Sequence, residues 1–417
     1  MKKSLLAIAV ASVLPGVVAA QVVVGGVMDG GYNMTSVKGQ SASNNKAGTE
    51  VETVRSGGNA SGALASNRLF FRGTEKIGDL TAGFHYELGM DAGGTGDLST
   101  TGGVRRSVVT LGGGFGTFTI GRDYTPIFNV SAALDASAAD NVNFGKAVYL
   151  NVATTRDSGQ INWTSPQFSG ITVNLSVAKN TVDQAAYGST GSPNPCPAAQ
   201  TTPAGQLAPS QCGTKVDQTV TGFSAVWESG PFRIMAASAV RDNSNNSSAA
   251  LITDQKRMEA IFGGTWAVNK DFTLLAAYGG RWTNDSKSDL LRTTSNTARA
   301  VRFTSSNFQD SKDRTDEYVG YQLGARYMIT PNTQIHGSWG KAEMQFIPSC
   351  VNSSLVGCTT QGVKKGDIDA YKLGLIQSLS KRTRLYALYG ADDGRLDTDS
   401  GQKIKRSELA FGLNHAF

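Results

Sequence analysis

After its first twenty residues, the 417-residue sequence contains no apolar run long enough to cross a membrane as a helix, which takes about 18 residues. It has three histidines, His85, His336 and His415, none beside a nucleophile motif. A serine hydrolase would need a Ser–His pair with a third, orienting group, so the expectation is a protein without catalysis. The four cysteines fall as Cys196 and Cys212 in one long loop and Cys350 and Cys358 in another. Their spacings match no zinc pattern. In an exported chain the expectation is instead two local disulfides, Cys196–Cys212 and Cys350–Cys358. Neither Gly25-Gly26 nor Gly112–Gly114 opens a helix with a following Lys-Ser/Thr, so no phosphate loop, and no cofactor, is expected. Charged residues are only 17% of the chain, and the net charge of +6 is too diffuse for a nucleic-acid surface.

What is present begins at the N-terminus. Met1–Ala20 carries Lys2 and Lys3, then the apolar run Leu5–Val18, then small residues before Gln21. This is the pattern of a cleaved secretory signal peptide. Loss of Lys2 and Lys3 would lower the formal charge of +6 by two, to +4.

The remainder, 21–417, reads as one domain of alternating strands. Gly is frequent, 49 of 417 residues, and mean hydropathy is slightly negative, −0.21. Sixteen strands are expected. The first is Gln21–Tyr32; a polar loop, Asn33–Ala65, leads to Ser66–Glu75. Leu80–Met90 alternates most cleanly: Leu80, Ala82, Phe84, Tyr86 and Leu88 share one face, and His85 and Glu87 lie on the other. Arg105–Leu111 turns through Gly112–Gly114 into a strand carrying Phe118 and Ile120. After Arg156–Ser165 and Gly170–Ala178 the strands come in pairs: Asp217–Glu228 with Phe232–Arg241, Arg257–Ala267 with Phe272–Trp282, Thr315–Ile329 with Thr333–Ala342, and Ala370–Leu379 with Arg384–Ala391. Lys405–Phe417 is the last.

Connections alternate short and long, as periplasmic turns and surface loops do and as the loops of a β-sandwich do not. In hydrocarbon every backbone N–H and C=O needs a partner, so such strands must close into a barrel. At sixteen strands side chains no longer fill the interior, and an aqueous channel remains. The stretch Gly112–Gly145 stands out. Its alternation stops at Arg122, and some two dozen small, lightly acidic residues follow, with an alanine-rich centre suited to a turn of helix. Long connections in ordered proteins are usually functional. The expectation is that this one folds back into the barrel and narrows it.

Charge on the lipid face at mid-membrane costs roughly 2–4 kcal/mol per Arg or Lys. Arg68 and Arg72 lie opposite Leu69 and Phe71, and Arg156 opposes Ile161 and Trp163, so all three are expected to face water. Arg106 also falls inside, whereas Arg105 falls outside unless it is near the rim. Arg122 has the parity of Ile120, but there the chain is expected to leave the wall. Glu87 is expected on the lumenal face at another height. Asp135 and Asp140 are the acids of the inward loop, and Lys146 adds a positive charge near its end. The balance is positive, so small anions should pass more readily than cations.

Ser66–Glu75 (SNRLFFRGTE), Gly114–Arg122 (GFGTFTIGR) and the terminal Phe417 resemble the Gram-negative general porins, in particular the beta-proteobacterial type. The resemblance runs from Gln21 to Phe417. It implies a homotrimer of sixteen-stranded barrels in the outer membrane, in contact with its lipid and lipopolysaccharide, each with a third loop folded inward. It also implies wall arginines (Arg68, Arg105 or Arg106, and Arg156) facing acids of that loop (Asp135 and Asp140). The family's acidic motif after the Gly-Arg dipeptide is replaced here by Asp123-Tyr124-Thr125-Pro126. Phe417 would be read by the barrel-assembly machinery. The implied activity is passive diffusion of ions and small hydrophilic solutes. Two alternatives are a porin with a true solute site and an adhesive barrel without open conductance.

Overall fold

A computed structural model describes residues 22–39, 49–56, 62–90, 103–137, 140–146, 153–184, 214–247, 253–285, 315–346, 364–397 and 403–417. Met1–Gln21 and all four cysteines lie outside the described residues, as do the signal-peptide and disulfide expectations.

The strands are β1 (Val23–Gly39), β2 (Thr49–Ser56), β3 (Arg68–Ile77), β4 (Leu80–Gly89), β5 (Val104–Gly113) and β6 (Gly116–Tyr124). The helix α1 (Pro126–Ala133) follows. Then come β7 (Arg156–Thr164), β8 (Ile171–Gln184), β9 (Thr214–Ser229), β10 (Phe232–Ser247), β11 (Thr253–Ala267) and β12 (Phe272–Asp285). The last five are β13 (Thr315–Thr330), β14 (Thr333–Phe346), β15 (Lys364–Ser378), β16 (Thr383–Asp397) and β17 (Lys403–Ala416).

All are antiparallel to their neighbours, and β17 returns to β1 to close a barrel. Seventeen segments make sixteen staves. β2 pairs with the far half of β1 (Tyr32↔Ser56 to Gly39↔Thr49), and β3 pairs with its near half (Val23↔Arg72 to Val27↔Arg68). One stave is therefore interrupted. The sequence reading missed β2, assigning Asn33–Ala65 to a loop. The strand's polar TEVETVRS carries no apolar alternation, and none is required where a strand has left the hydrocarbon. For the same reason β8 and β10 run past the expected ends at Ala178 and Arg241.

Outside, the apolar residues form a band with aromatic side chains near its ends. Phe232 stacks on Trp266 at 6.0 Å at the short-turn end. Tyr321 meets Trp339 edge-on at 5.5 Å, farther up the wall. Such girdles sit at the headgroup level of a bilayer.

The seam is tight. Gly26 N–H donates to the Phe417 carbonyl and Phe417 N–H to the Gly26 carbonyl, both at 3.1 Å. A Cβ on Gly26 would meet the Phe417 ring at 2.4 Å and the Arg68 carbonyl at 2.6 Å, so only glycine fits. Deleting Phe417 removes both hydrogen bonds and is expected to lower the fraction of folded, heat-modifiable protein in outer membranes. Undiminished assembly of the truncated chain would show that the barrel closes without them.

Candidate functional site

The segment after β6 is held by its own sequence and by the wall. Thr125 caps α1: its Oγ1 accepts from Phe128 N–H at 3.1 Å, and Pro126 occupies the first turn, where a missing N–H costs nothing. Ile127, Val130 and Leu134 are buried in one cluster with Met235, Ala237 and Ala239 of β10 and Ile261 of β11. Beyond α1 the chain continues along the buried-parity face of the wall. Arg326 of β13 donates through Nε to the Ala136 carbonyl at 2.8 Å and through Nη2 to the Asp135 carbonyl. Lys372 of β15 is bonded to Ser137 Oγ at 2.9 Å and paired with Asp140. Asn143 donates its backbone N–H to Glu408 of β17 at 2.8 Å, and Gly145 donates its own to Asp392 of β16 at 2.7 Å.

The wall makes room for this track with glycine. A Cβ on Gly263 would meet Leu134 at 2.8 Å, one on Gly324 would meet Ala136 at 2.8 Å, and one on Gly390 would meet the Phe144 carbonyl at 2.3 Å. Residues 62–67, in the interruption between β2 and β3, complete the contact. Asn141 N–H donates to the Ala63 carbonyl at 2.8 Å. Beneath them Asp29 accepts from Tyr386 Oη at 2.6 Å, Ala65 N–H at 2.8 Å and Asn414 Nδ2 at 3.1 Å.

Asp135 and Asp140, expected to oppose the arginines, are thus buried against β13 and β15. Burial opposes the charge on Asp135, but Lys372 and Ser137 outweigh it and hold the carboxyl below its ordinary value. Lys146 donates to the Asp140 carbonyl at 3.0 Å. Burial, with Lys372 beside it, brings its ammonium down to about 8.

The expected arginines gather on the other side, over β3 to β7. Arg105 Nε donates to Glu87 Oε1 at 2.6 Å, and Arg68 lies 3.9 Å from the same carboxylate. Arg106 forms a bidentate pair with Asp123, at 2.7 and 2.9 Å, and its Nη1 donates to His85 Nδ1 at 3.2 Å. Three expectations need correction here. Simple alternation put Arg105 outside unless it is near the rim, but the β4–β5 register slips between Glu87/Arg106 and Leu88/Val104, so Arg105 is the extra residue of a bulge. Bulges re-aim side chains, and this one turns Arg105 to Glu87. Glu87, expected at another height, therefore belongs to the cluster. Nor does the chain leave the wall at Arg122. β6 continues to Tyr124, and Arg122, on the parity of exposed Ile120, donates to the Val104 carbonyl and to Ser158 Oγ, both at 2.8 Å.

Tyr124, which the sequence reading did not single out, is at the centre. Its hydroxyl accepts from Arg156 Nη2 at 2.8 Å and Arg105 Nη2 at 3.1 Å. The Arg156 guanidinium lies 4.3 Å from its ring centroid, and Phe128 of α1 stacks on the ring at 5.1 Å. Arg72 lies 5.4 Å from the Phe70 centroid, opposite His85. Also missed were the buried charges of the remaining wall: Arg241, Arg281, Lys372 and Arg406 with Asp157, Glu259, Asp392 and Glu408. The signal was available. Lys372 stands between exposed Tyr371 and Leu373, and parity alone turns it inward.

A closed antiparallel barrel with an apolar outer band and a charged interior is an outer-membrane β-barrel of the channel-forming kind. The sequence profile of the Gram-negative porins matches residues 6–397, and the chain belongs to that family. Among solved structures it is similar to the anion-selective porin from Comamonas acidovorans (17% identity, TM-score 0.59, 95% of this chain and 100% of that one). It is also similar to the trimer form of OmpT from Vibrio cholerae (11%, 0.54, 96% and 100%) and to the outer membrane channel DcaP of Acinetobacter baumannii (14%, 0.55, 95% and 97%). These likenesses carry the fold alone. No curated protein sequence matches the chain.

Proposed function

We propose that this porin is a passive, non-enzymatic diffusion channel for small hydrophilic solutes, that the segment 125–146 narrows its lumen, and that it passes anions more readily than cations. One observation carries the anion preference. Over β3 to β7 five guanidinium groups (Arg68, Arg72, Arg105, Arg106 and Arg156) stand with the buried carboxylates Glu87 and Asp123, while the third buried carboxylate there, Asp157, is balanced by Arg241 of β10. The acids of the loop do not redress that surplus, because on the opposite wall Lys372 pairs with Asp140 and holds the charge of Asp135, whose carboxylate accepts from Ser137. Between low-dielectric walls such a surplus attracts counter-ions, and screening within ~8–10 Å confines the effect to the constriction.

In this reading Met1–Ala20 is a cleaved signal peptide, the two cysteine pairs close their own surface loops, and Phe417 is recognised during barrel assembly. The channel is a homotrimer in contact with lipopolysaccharide. The solved structure of the Vibrio OmpT trimer makes that assembly a reasonable expectation for this fold.

The test is the reversal potential across a tenfold KCl gradient in a planar bilayer. Wild type is expected to be several-fold anion-preferring, and Arg68→Ala and Arg156→Ala each to lose part of that preference. A cation-selective wild type would sink the assignment of the constriction. Absence of any stable conductance would favour the adhesive barrel.

A further inference from the structure

The five arginines are not equivalent. Arg106 is bidentate on Asp123, and Arg105 and Arg68 share Glu87. Among the described residues no carboxylate is in direct contact with Arg156 or Arg72; each lies instead on an aromatic face, Arg156 on Tyr124 and Arg72 on Phe70. Arg156 adds a hydrogen bond to the Tyr124 hydroxyl, while its Nε has no partner.

We propose that Tyr124 is the specificity-determining residue of the constriction: it positions Arg156 without neutralising it, so that one full positive charge stays available to passing anions. The inference rests on the anion-preferring reading and names the residue responsible for it. A carboxylate in Tyr124's place would position the guanidinium equally well and cancel its field. The aromatic face attracts a cation through its quadrupole while adding no net charge. The hydroxyl accepts two donors, Arg156 and Arg105, and so holds two like charges side by side. Phe128 stacks on the same ring, which links the orientation of Arg156 to α1. Without this support Arg156 and Arg105 would be free to share Glu87, and the charge would be drawn off the passage onto the wall.

The diagnostic is that a substitution of neutral for neutral alters ion preference. Reversal potentials are to be measured across a tenfold KCl gradient for wild type, Tyr124→Leu, Tyr124→Phe, Arg156→Gln and the Tyr124→Leu/Arg156→Gln pair. Each protein is first checked for heat-modifiable mobility. Tyr124→Leu is expected to lower the chloride-to-potassium permeability ratio about twofold, and Tyr124→Phe, which keeps the ring, by less. Arg156→Gln is expected to lower it at least as far, and adding Tyr124→Leu to Arg156→Gln to change nothing more. An unaltered ratio in both Tyr124 variants, with Arg156→Gln reduced, would overturn the inference and leave the channel reading standing. An equal further drop in the double variant would also overturn it, since Tyr124 would then act by another route. A wild type without anion preference would overturn the channel reading, and this inference with it. Should the leucine variant not fold, the comparison of Tyr124→Phe with wild type decides.

Discussion

Replacing Lys372 by methionine is expected to widen the channel and lower its heat stability together. The Lys372 and Asp140 side chains are 1% and 0% exposed, so the substitution strands a carboxylate in a dry site. Removing one partner of a buried pair costs about 3–5 kcal/mol. Two features temper the loss. Lys146 is close by, bonded to the Asp140 carbonyl, and with Lys372 gone its ammonium would be freer to serve Asp140. The segment also keeps its contacts with Arg326, Glu408 and Asp392. The expected result is larger, noisier single-channel conductance and a lower temperature for loss of the heat-modifiable form. Neutralising both partners, as Lys372→Met/Asp140→Asn, should restore part of the stability, because Asp140 is then uncharged while Asp135 still loses the charge of Lys372. Conductance unchanged in Lys372→Met would mean that the remaining contacts suffice to hold the segment.

How much of this was legible in the sequence depends on distance along the chain. Strand parity needs only local pattern, and it sets Arg68 and Arg72 on one face, opposite Leu69 and Phe71. It failed at Arg105, where one inserted residue shifts the register, and bulges leave little trace in hydrophobicity. It failed at β2 because a polar strand above the membrane alternates with nothing. Arg156 sits above another irregularity: the β6–β7 register shifts between Gly121 and Asp123, and Gly159 has a φ of +61°. The acids of the loop could be named but not oriented. Asp140 meets a lysine 232 positions later and Asn143 a glutamate 265 positions later, and no local pattern encodes such partners. Tyr124 was passed over for a related reason. A tyrosine after a strand is unremarkable until three arginines from two other strands and one bulge are seen around it.

Arg241→Met is expected to be the most destabilising single change on the β7–β11 side. Its guanidinium is 2% exposed, is bidentate on Asp157 at 2.7 and 3.0 Å, and lies 3.4 Å from Glu259. Glu259 in turn accepts from Thr154 N–H at 3.1 Å and Thr154 Oγ1 at 2.9 Å, where the chain returns to the wall before β7. Arg257, 3.1 Å from Glu259, can still balance that carboxylate, but among the described residues no second cation pairs with Asp157. The cost is therefore that of one stranded buried charge, about 3–5 kcal/mol, and it falls on the junction of three staves rather than on the loop alone. Arg241→Lys, which keeps the charge but not the planar fork, should lie between. The control is Lys405→Met at the rim: Lys405 is 69% exposed and 3.4 Å from Asp393, and exposed pairs contribute little. Heat-modifiable mobility read against temperature should give the order Arg241→Met, then Arg241→Lys, then Lys405→Met and wild type together. If Arg241→Met and Lys405→Met melt alike, Asp157 must be reached by water in the folded barrel, and the buried network would then position the returning chain without stabilising the wall.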